Sequence, residues 1–120
     1  MGLKKAFVTV RDNYVINQVK KQKLPVFDED QTKRYKIIFS GRVQHVGFRL
    51  EVCELAKRLA LTGYCQNMEN GDVLAEVQGP ENKIRHLVSF MESLKRIKIK
   101  DKVMEELAVK AQETVFEMRA

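Results

Sequence analysis

A short glycine-containing segment, SGRVQHVGFRL at residues 40–50, carries the residues best suited to chemistry in this chain. It holds Arg42 and Arg49 on either side of a histidine and a glycine. Arginine offers a planar fork of N–H donors that matches the oxygens of a phosphate or a carboxylate. Backbone N–H groups of a tight loop can bind the same kind of anion. The segment therefore predicts an anion-binding site, with a phosphate-sized ligand.

The elements on either side of this segment would position its N–H groups. YKIIFS before it is rich in strand-forming residues and predicts a strand, at whose end Arg42 would face solvent or pair with an acid. FRLEVCELAKRLAL after it has the apolar spacing of a helix, with one face made by Phe48, Val52, Leu55, Ala56 and Leu59. The first turn of a helix has N–H groups without partners and a positive dipole end. Arg49 would lie in that turn, where a bound anion would offset its repulsion by the dipole.

A second polar segment, GYCQNMENGDVLAEVQG at residues 63–79, contains the strongest hairpin signal of the chain. Asn70–Gly71 predicts a tight turn between two strands, with positive φ at both turn positions. Asn67 lies just before that turn, and its side-chain amide can both donate and accept hydrogen bonds. It could therefore hold a water molecule, or it could simply be a polar residue at a strand end.

The remaining elements complete the order β-α-β-β-α-β. Thr62–Gly63 is a plausible stop for the first helix. Gly79–Pro80 predicts the end of a strand and the start of a second helix, whose apolar face carries Ile84, Leu87, Val88 and Met91. KRIKIKD is interpreted as a basic linker, and VMEELAV and TVFEM as two final strands. This order predicts an α+β fold, a ferredoxin-like βαββαβ sandwich whose antiparallel sheet has two helices on one face.

A domain boundary is predicted near Lys33–Arg34. It divides the chain into an N-terminal extension at residues 1–34 and one domain at residues 35–120. Within the extension, AFVTV could form a short strand, and Asp12 could cap a short helix that carries Val15 and Val19. An ordered addition packed on the domain and a mobile tail are both open alternatives.

Composition favours a globular protein of the cytoplasm. The chain has 120 residues, 44% hydrophobic and 32% charged, and no run approaches the roughly 18 apolar residues that span a bilayer. The N-terminal apolar stretch is too short for a signal peptide. Cys53 and Cys65 are expected to be free thiols, and no Cys/His cluster has metal-ligand spacing. The net charge of +6 lies mostly in residues 1–34 and is weak evidence for nucleic-acid binding.

Together, GRVQHVGFR and GYCQNMENGDVLAEVQG resemble the two signatures of the acylphosphatase family, in the same order and spacing. The resemblance covers about residues 35–119, and the second signature matches at Gly63, Tyr64, Asn67, Gly71, Val73 and Gly79. It implies a small ferredoxin-like enzyme that hydrolyses the carboxyl–phosphate bond of acyl phosphates without cofactor or metal. The implied partner is a small-molecule acyl phosphate, with no nucleic acid and no membrane, and we expect a monomer.

The resemblance also implies roles for individual residues. Arg49 would be the catalytic arginine that clamps phosphate oxygens, and Asn67 would orient the attacking water. The substrate's own phosphate can take the proton of that water, so no protein base is required. The loop that grips the phosphoryl group would be formed by Gln44, His45, Val46, Gly47 and Phe48.

One position departs from the family pattern, because His45 stands where the family loop usually has glycine. Glycine is favoured where φ is positive or where a ligand approaches the backbone closely. Three interpretations follow: His45 points outward in an ordinary enzyme, it aids phosphate binding when protonated, or it leaves a phosphate- or nucleotide-binding module with little turnover. A basic RNA-binding domain is a further alternative, with stacking residues Phe39, Tyr64 and Phe116, although the chain lacks an RNA-binding signature.

Overall fold

The chain folds into three helices and five strands in a computed structural model that describes residues 3–120, with side chains from Val8 onward. In chain order the elements are α1 Leu3–Lys21, β1 Thr32–Arg42, α2 Phe48–Arg58, β2 Thr62–Asn67, β3 Val73–Pro80, α3 Glu81–Ser93, β4 Lys98–Leu107 and β5 Phe116–Arg119. No helix in this described part of the chain is long and apolar enough to cross a membrane.

The strands form a single five-stranded sheet in the order β4-β1-β3-β2-β5. β1 pairs antiparallel with β3 on one side and with β4 on the other, and β2 pairs antiparallel with β3. The predicted ferredoxin-like α+β fold is therefore confirmed. The prediction of a wholly antiparallel sheet is wrong at one edge, where β5 pairs parallel with β2. The cause is the connection at residues 108–115, which carries the chain from one edge of the sheet to the other.

One face of the sheet is covered by α2 and α3, as predicted. Tyr35, Ile37 and Phe39 alternate along β1 with less buried residues, so that one side of the strand enters the core. The ring of Phe39 lies 5.0 Å from that of Phe48 at the start of α2. The predicted apolar faces of both helices are buried in the same cluster. Phe39 and Phe116 belong to it too, so neither is available to stack on a nucleic-acid base.

The N-terminal extension is largely one helix, α1, which contacts α2. Val15 and Val19 are buried, and Arg58 donates hydrogen bonds to the carbonyl oxygens of Val19 and Gln22, the latter at 2.6 Å. A short strand at AFVTV is therefore wrong, and Asp12 lies inside the helix instead of capping one. The sheet begins slightly before the predicted boundary, because β1 starts at Thr32.

Three local predictions fail for identifiable reasons. Helix α2 ends at Arg58, and Ala60 with a φ of 57° takes the left-handed conformation expected of Gly63. At the hairpin, Gly71 has a φ of 98° but Asn70 does not have a positive φ, so the turn is not the predicted type. The segment at residues 98–101, predicted as part of a linker, begins β4. Its lysines suit an edge strand, because charged side chains there discourage pairing with another chain.

A buried arginine stabilises the other face of the sheet. Arg34 is fully buried, and its guanidinium bonds Glu76 Oε1 at 3.1 Å, Gln78 Oε1 at 3.2 Å and both carboxylate oxygens of Glu113 at 2.7 and 3.1 Å. Burial alone would raise the pKa of Glu113, but the hydrogen bonds from Arg34 and Thr62, together with the nearby positive charges, outweigh it and lower that pKa. The network therefore fastens the connection at residues 108–115 to β1 and β3.

We expect Arg34→Ala to lower the free energy of unfolding by about 3 kcal/mol or more, because it leaves two largely buried carboxylates without their cation. Urea unfolding of the two proteins at neutral pH measures this difference. The matched control is Arg85→Ala, which removes an exposed pair with Glu81 and should cost less than about 1 kcal/mol. Equal losses in the two variants would contradict a stabilising role for the buried network.

Candidate active site

The loop at residues 43–47, here named the cradle loop, joins the end of β1 to the start of α2. His45 and Gly47 both have left-handed backbone, with φ of 62° and 79°. Two such residues in so short a loop curl the chain and gather N–H groups on its concave side. Gly47 is also the N-cap of α2, and no side chain caps that end of the helix. The first N–H groups of α2 are thus available to an anion.

The positive φ of His45 matches what a family glycine would adopt at this position. A left-handed conformation costs a residue other than glycine roughly 1–2 kcal/mol, although histidine is found there more often than most residues. The side chain of His45 is exposed, and the substitution removes no backbone N–H. The local conformation required by the loop is therefore retained at the expense of some strain.

Side chains from outside the loop hold its carbonyl groups. Conversely, the side chain of Gln44, which belongs to the loop, bonds carbonyl groups outside it. Its Nε2 donates to the carbonyl oxygens of Met68 and Asp72, each at 2.8 Å, and so ties the loop to the β2–β3 hairpin. Arg96 Nε donates to Val46 O at 2.9 Å. Because the C=O and N–H of a trans peptide point in opposite directions, binding this carbonyl from outside turns the N–H of the same peptide, that of Gly47, toward the concave side.

Arg96 also links the loop to the first turns of α2. Its Nη2 donates to Glu51 Oε2 at 3.2 Å. The Glu51 side chain is buried, and this burial raises the pKa of its carboxyl while Arg96 opposes the increase. The sequence analysis did not find Arg96, since it lies in KRIKIKD, which gave no signal beyond its charge. Its contact with Val46 depends on how α3 and β4 bring distant residues together.

Arg49 lies in the first turn of α2, as predicted, and its side chain faces the same space as the cradle loop. Its Nη1 donates to the carbonyl oxygen of Arg119 in β5 at 2.6 Å. That bond leaves other N–H donors of the guanidinium available to an oxyanion. The edge strand β5, whose parallel pairing was not predicted, thus holds the Arg49 side chain in place.

Asn67 ends β2, is half-buried and lines the same space. Together these elements enclose a cavity of about 340 Å³. Its walls are formed by Val8, Arg11, Asp12, Val43, His45, Gly47, Phe48, Arg49, Leu50, Asn67 and Met118.

Most of the predicted site residues therefore meet in one place. His45, Gly47, Phe48, Arg49 and Asn67 line the cavity. The side chains of Gln44 and Val46 do not, because Gln44 reaches the hairpin and Val46 packs on the hydrophobic core. Arg42 is exposed at the end of β1 and is not part of the cavity wall.

The cavity was predicted without the N-terminal helix, yet α1 supplies part of its wall through Val8, Arg11 and Asp12. No pattern in residues 1–34 pointed to this contribution. Within residues 3–120, no group of three or more His, Cys, Asp and Glu side chains is arranged to hold a metal ion.

Comparison with known proteins agrees with the fold and identifies the family. A family model described as acylphosphatase matches residues 35–118. The chain belongs to the acylphosphatase family. The match confirms the resemblance seen in the two signatures and leaves α1 and the segment that follows it outside the shared acylphosphatase region.

Named acylphosphatases are similar to this chain over its central part. The acylphosphatase of Clostridium beijerinckii is 48% identical over 63 residues, which are 52% of this chain and 67% of the relative. That of Clostridium perfringens is 52% identical over 52 residues, or 43% of this chain and 58% of the relative. The crystal structure of the Bacillus subtilis acylphosphatase aligns with a TM-score of 0.67 and 30% identity, and the alignment covers 73% of this chain and 99% of that one.

Proposed function

We propose that this protein hydrolyses acyl phosphates to a carboxylate and inorganic phosphate. The observation that carries the proposal is that Arg49 and Asn67 line one cavity together with His45 and Gly47 of the cradle loop. The loop and the uncapped start of α2 offer N–H donors, Arg49 offers a guanidinium, and Asn67 offers an amide. These are the groups that phosphoryl transfer needs for positioning and charge stabilisation.

In this proposal the phosphoryl group lies in the cradle loop, with its oxygens bound by N–H groups of residues 44–48 and by the guanidinium of Arg49. Charge-assisted bonds of this kind are about twice as strong as neutral ones. As the bond to the leaving group lengthens, negative charge remains spread over the phosphoryl oxygens. Donors fixed by Gln44 and Arg96 need no rearrangement to stabilise that charge.

Asn67 orients the water that attacks phosphorus. Its amide can accept one hydrogen bond from the water and donate another, which fixes the direction of the lone pair. The proton of the water passes to a phosphoryl oxygen of the substrate. The P–O bond to the acyl group breaks, and the bonding electrons leave on the carboxylate oxygen. A carboxylate is a stable anion, so its departure needs no protein acid.

The second candidate, a phosphate-binding module with little turnover, draws on the left-handed backbone of His45. Strain at this position could shift the cradle loop by a fraction of an ångström, and small misplacements lower catalysis more than binding. Hydrolysis and phosphate binding therefore have to be measured separately.

Hydrolysis of benzoyl phosphate by the purified chain, with benzyl phosphate as the matched control, tests the proposed function. The two compounds differ by one carbonyl group, and only the first releases a carboxylate. Without a protein acid to protonate an alkoxide, we expect a preference for benzoyl phosphate of at least about 100-fold. Folded protein that hydrolyses neither compound but binds inorganic phosphate would favour the binding module instead.

His45→Gly is expected to change kcat/KM by less than about threefold, because the imidazole is exposed and glycine keeps the same backbone N–H. Kinetics on benzoyl phosphate from pH 5 to pH 8 measure this. A pH-dependent step seen in the original chain and lost in His45→Gly would instead assign the imidazole a role in phosphate binding. A gain of more than tenfold would show that the strain at His45 lowers the activity.

A further inference from the structure

The N-terminal helix lies against the cradle loop, although it falls outside the region shared with the family. An ideal Cβ placed on Gly47 would lie 3.2 Å from Val15 Cγ2 and 3.4 Å from Arg11 Nε. Arg11 Nη1 also donates to the carbonyl oxygen of His45 at 3.4 Å. The guanidinium of Arg11 thus contacts His45, lies close to Gly47 and lines the same cavity as Arg49.

A neighbouring carboxylate restrains this guanidinium. Arg11 Nη2 and Nε both bond Asp12 Oδ1, at 3.0 and 3.2 Å, and Asp12 is part of the cavity wall as well. The remaining contact, to the neutral carbonyl of His45, is long for a hydrogen bond. A phosphoryl oxygen in the cradle would be a better acceptor than that carbonyl, since it carries negative charge.

We propose that Arg11, carried into the site by α1, is a second arginine that binds the phosphoryl group, and that Asp12 weakens anion binding because its carboxylate competes with the anion for the Arg11 guanidinium. This inference deepens the proposed function, on which it rests for the position of the phosphoryl group. Arg11 binds substrate and product alike, whereas Asp12 repels both. The net effect of the pair on affinity therefore depends on both charges.

A purely structural role for the pair is disfavoured by the way α1 is held. Val15 and Val19 bury its apolar contacts, and Arg58 binds the carbonyl oxygens of Val19 and Gln22 near its end. Arg11 and Asp12 are about one third exposed and lie next to each other on the helix. An exposed ion pair of this kind contributes little to stability, so α1 does not depend on it for its position.

The test is titration of the intact chain with inorganic phosphate by calorimetry, alongside benzoyl phosphate kinetics. We expect Arg11→Ala to weaken phosphate binding about tenfold and to raise KM by a similar factor, with kcat within about threefold. Asp12→Asn should tighten phosphate binding a few-fold, because the amide keeps the shape and loses the charge. Lys20→Ala removes one positive charge from an exposed position on the same helix and should change binding by less than about twofold.

Opposite changes in phosphate affinity for Arg11→Ala and Asp12→Asn would support the inference, since loss of a purely structural ion pair would shift the affinity in the same direction in both variants. Weakening by both variants, or no change in either, would overturn it. If the original chain binds phosphate in an Arg11-dependent way without hydrolysing benzoyl phosphate, the proposed function fails and the inference stands. If it hydrolyses the substrate while Arg11→Ala leaves KM and phosphate affinity unchanged, the inference alone fails.

Discussion

Arg49→Ala is expected to lower kcat/KM for benzoyl phosphate by at least about 1,000-fold, the range seen when an arginine that stabilises a phosphoryl transition state is lost. The affinity for inorganic phosphate should fall with it, because the ground state uses the same donors. Steady-state kinetics, with inorganic phosphate as a competitive inhibitor, measure both effects. Arg49→Lys should recover only part of the activity, since an ammonium keeps the charge but loses the planar fork.

The stability of Arg49→Ala separates a functional loss from a structural one. The substitution removes the hydrogen bond to Arg119 O, at a cost of about 1 kcal/mol. It also removes a cation from the positive end of α2, which raises the free energy of unfolding by roughly 0.3–1 kcal/mol. These effects oppose each other, so the free energy of unfolding should change by less than about 1 kcal/mol.

Arg42→Ala is the matched control for charge. Arg42 is exposed in the same sequence segment but is not part of the cavity wall, so its loss should change kcat/KM by less than about threefold. An Arg49→Ala protein that is folded and keeps a tenth or more of the activity would contradict the role assigned to Arg49.

Asn67→Ala is expected to lower kcat by about 100-fold or more while the inhibition constant of inorganic phosphate stays within about threefold. The reason is that the amide is proposed to position water rather than the phosphoryl group. Gln66→Ala is the matched control, because successive strand residues point to opposite sides and Gln66 does not line the cavity. A collapse of phosphate affinity in Asn67→Ala, with kcat retained, would assign Asn67 to phosphate binding instead.

Local patterns were sufficient for the parts of the fold that depend on burial. The alternation along β1 and the apolar faces of α2 and α3 were predicted from the apolar side chains that have to be buried. These side chains all lie in the hydrophobic core. The two motifs also located the cradle loop and Asn67, because a loop between a strand and a helix places N–H groups in a fixed direction.

Contacts between distant segments could not be predicted in this way. The chain after β4 crosses to the far edge of the sheet and is anchored on the way by the network of Arg34, Gln78 and Glu113, and no short window of sequence reports these contacts. The same holds for Arg96, whose contact with Val46 joins residues 50 positions apart. The residue at which α2 ends was predicted wrongly because Ala60 adopts the left-handed conformation that glycine usually takes after a helix.

The position of α1 was the largest omission in the site. Its sequence has no clear apolar stripe, so only a short helix carrying Val15 and Val19 was considered, and packing on the domain stayed one of two alternatives. Two buried valines and the carbonyl contacts of Arg58 hold it in place. Arg11 reaches the cavity only as a result of that docking.

Hydrolysis of benzoyl phosphate in water enriched in heavy oxygen, with a metal chelator present, tests the central claim most directly. The account predicts turnover that survives the chelator and places one heavy oxygen in the inorganic phosphate, because water attacks phosphorus. Mass spectrometry of both products reads the result. Heavy oxygen in the benzoate, which marks attack at the carbonyl carbon, or no turnover by folded protein, would contradict it.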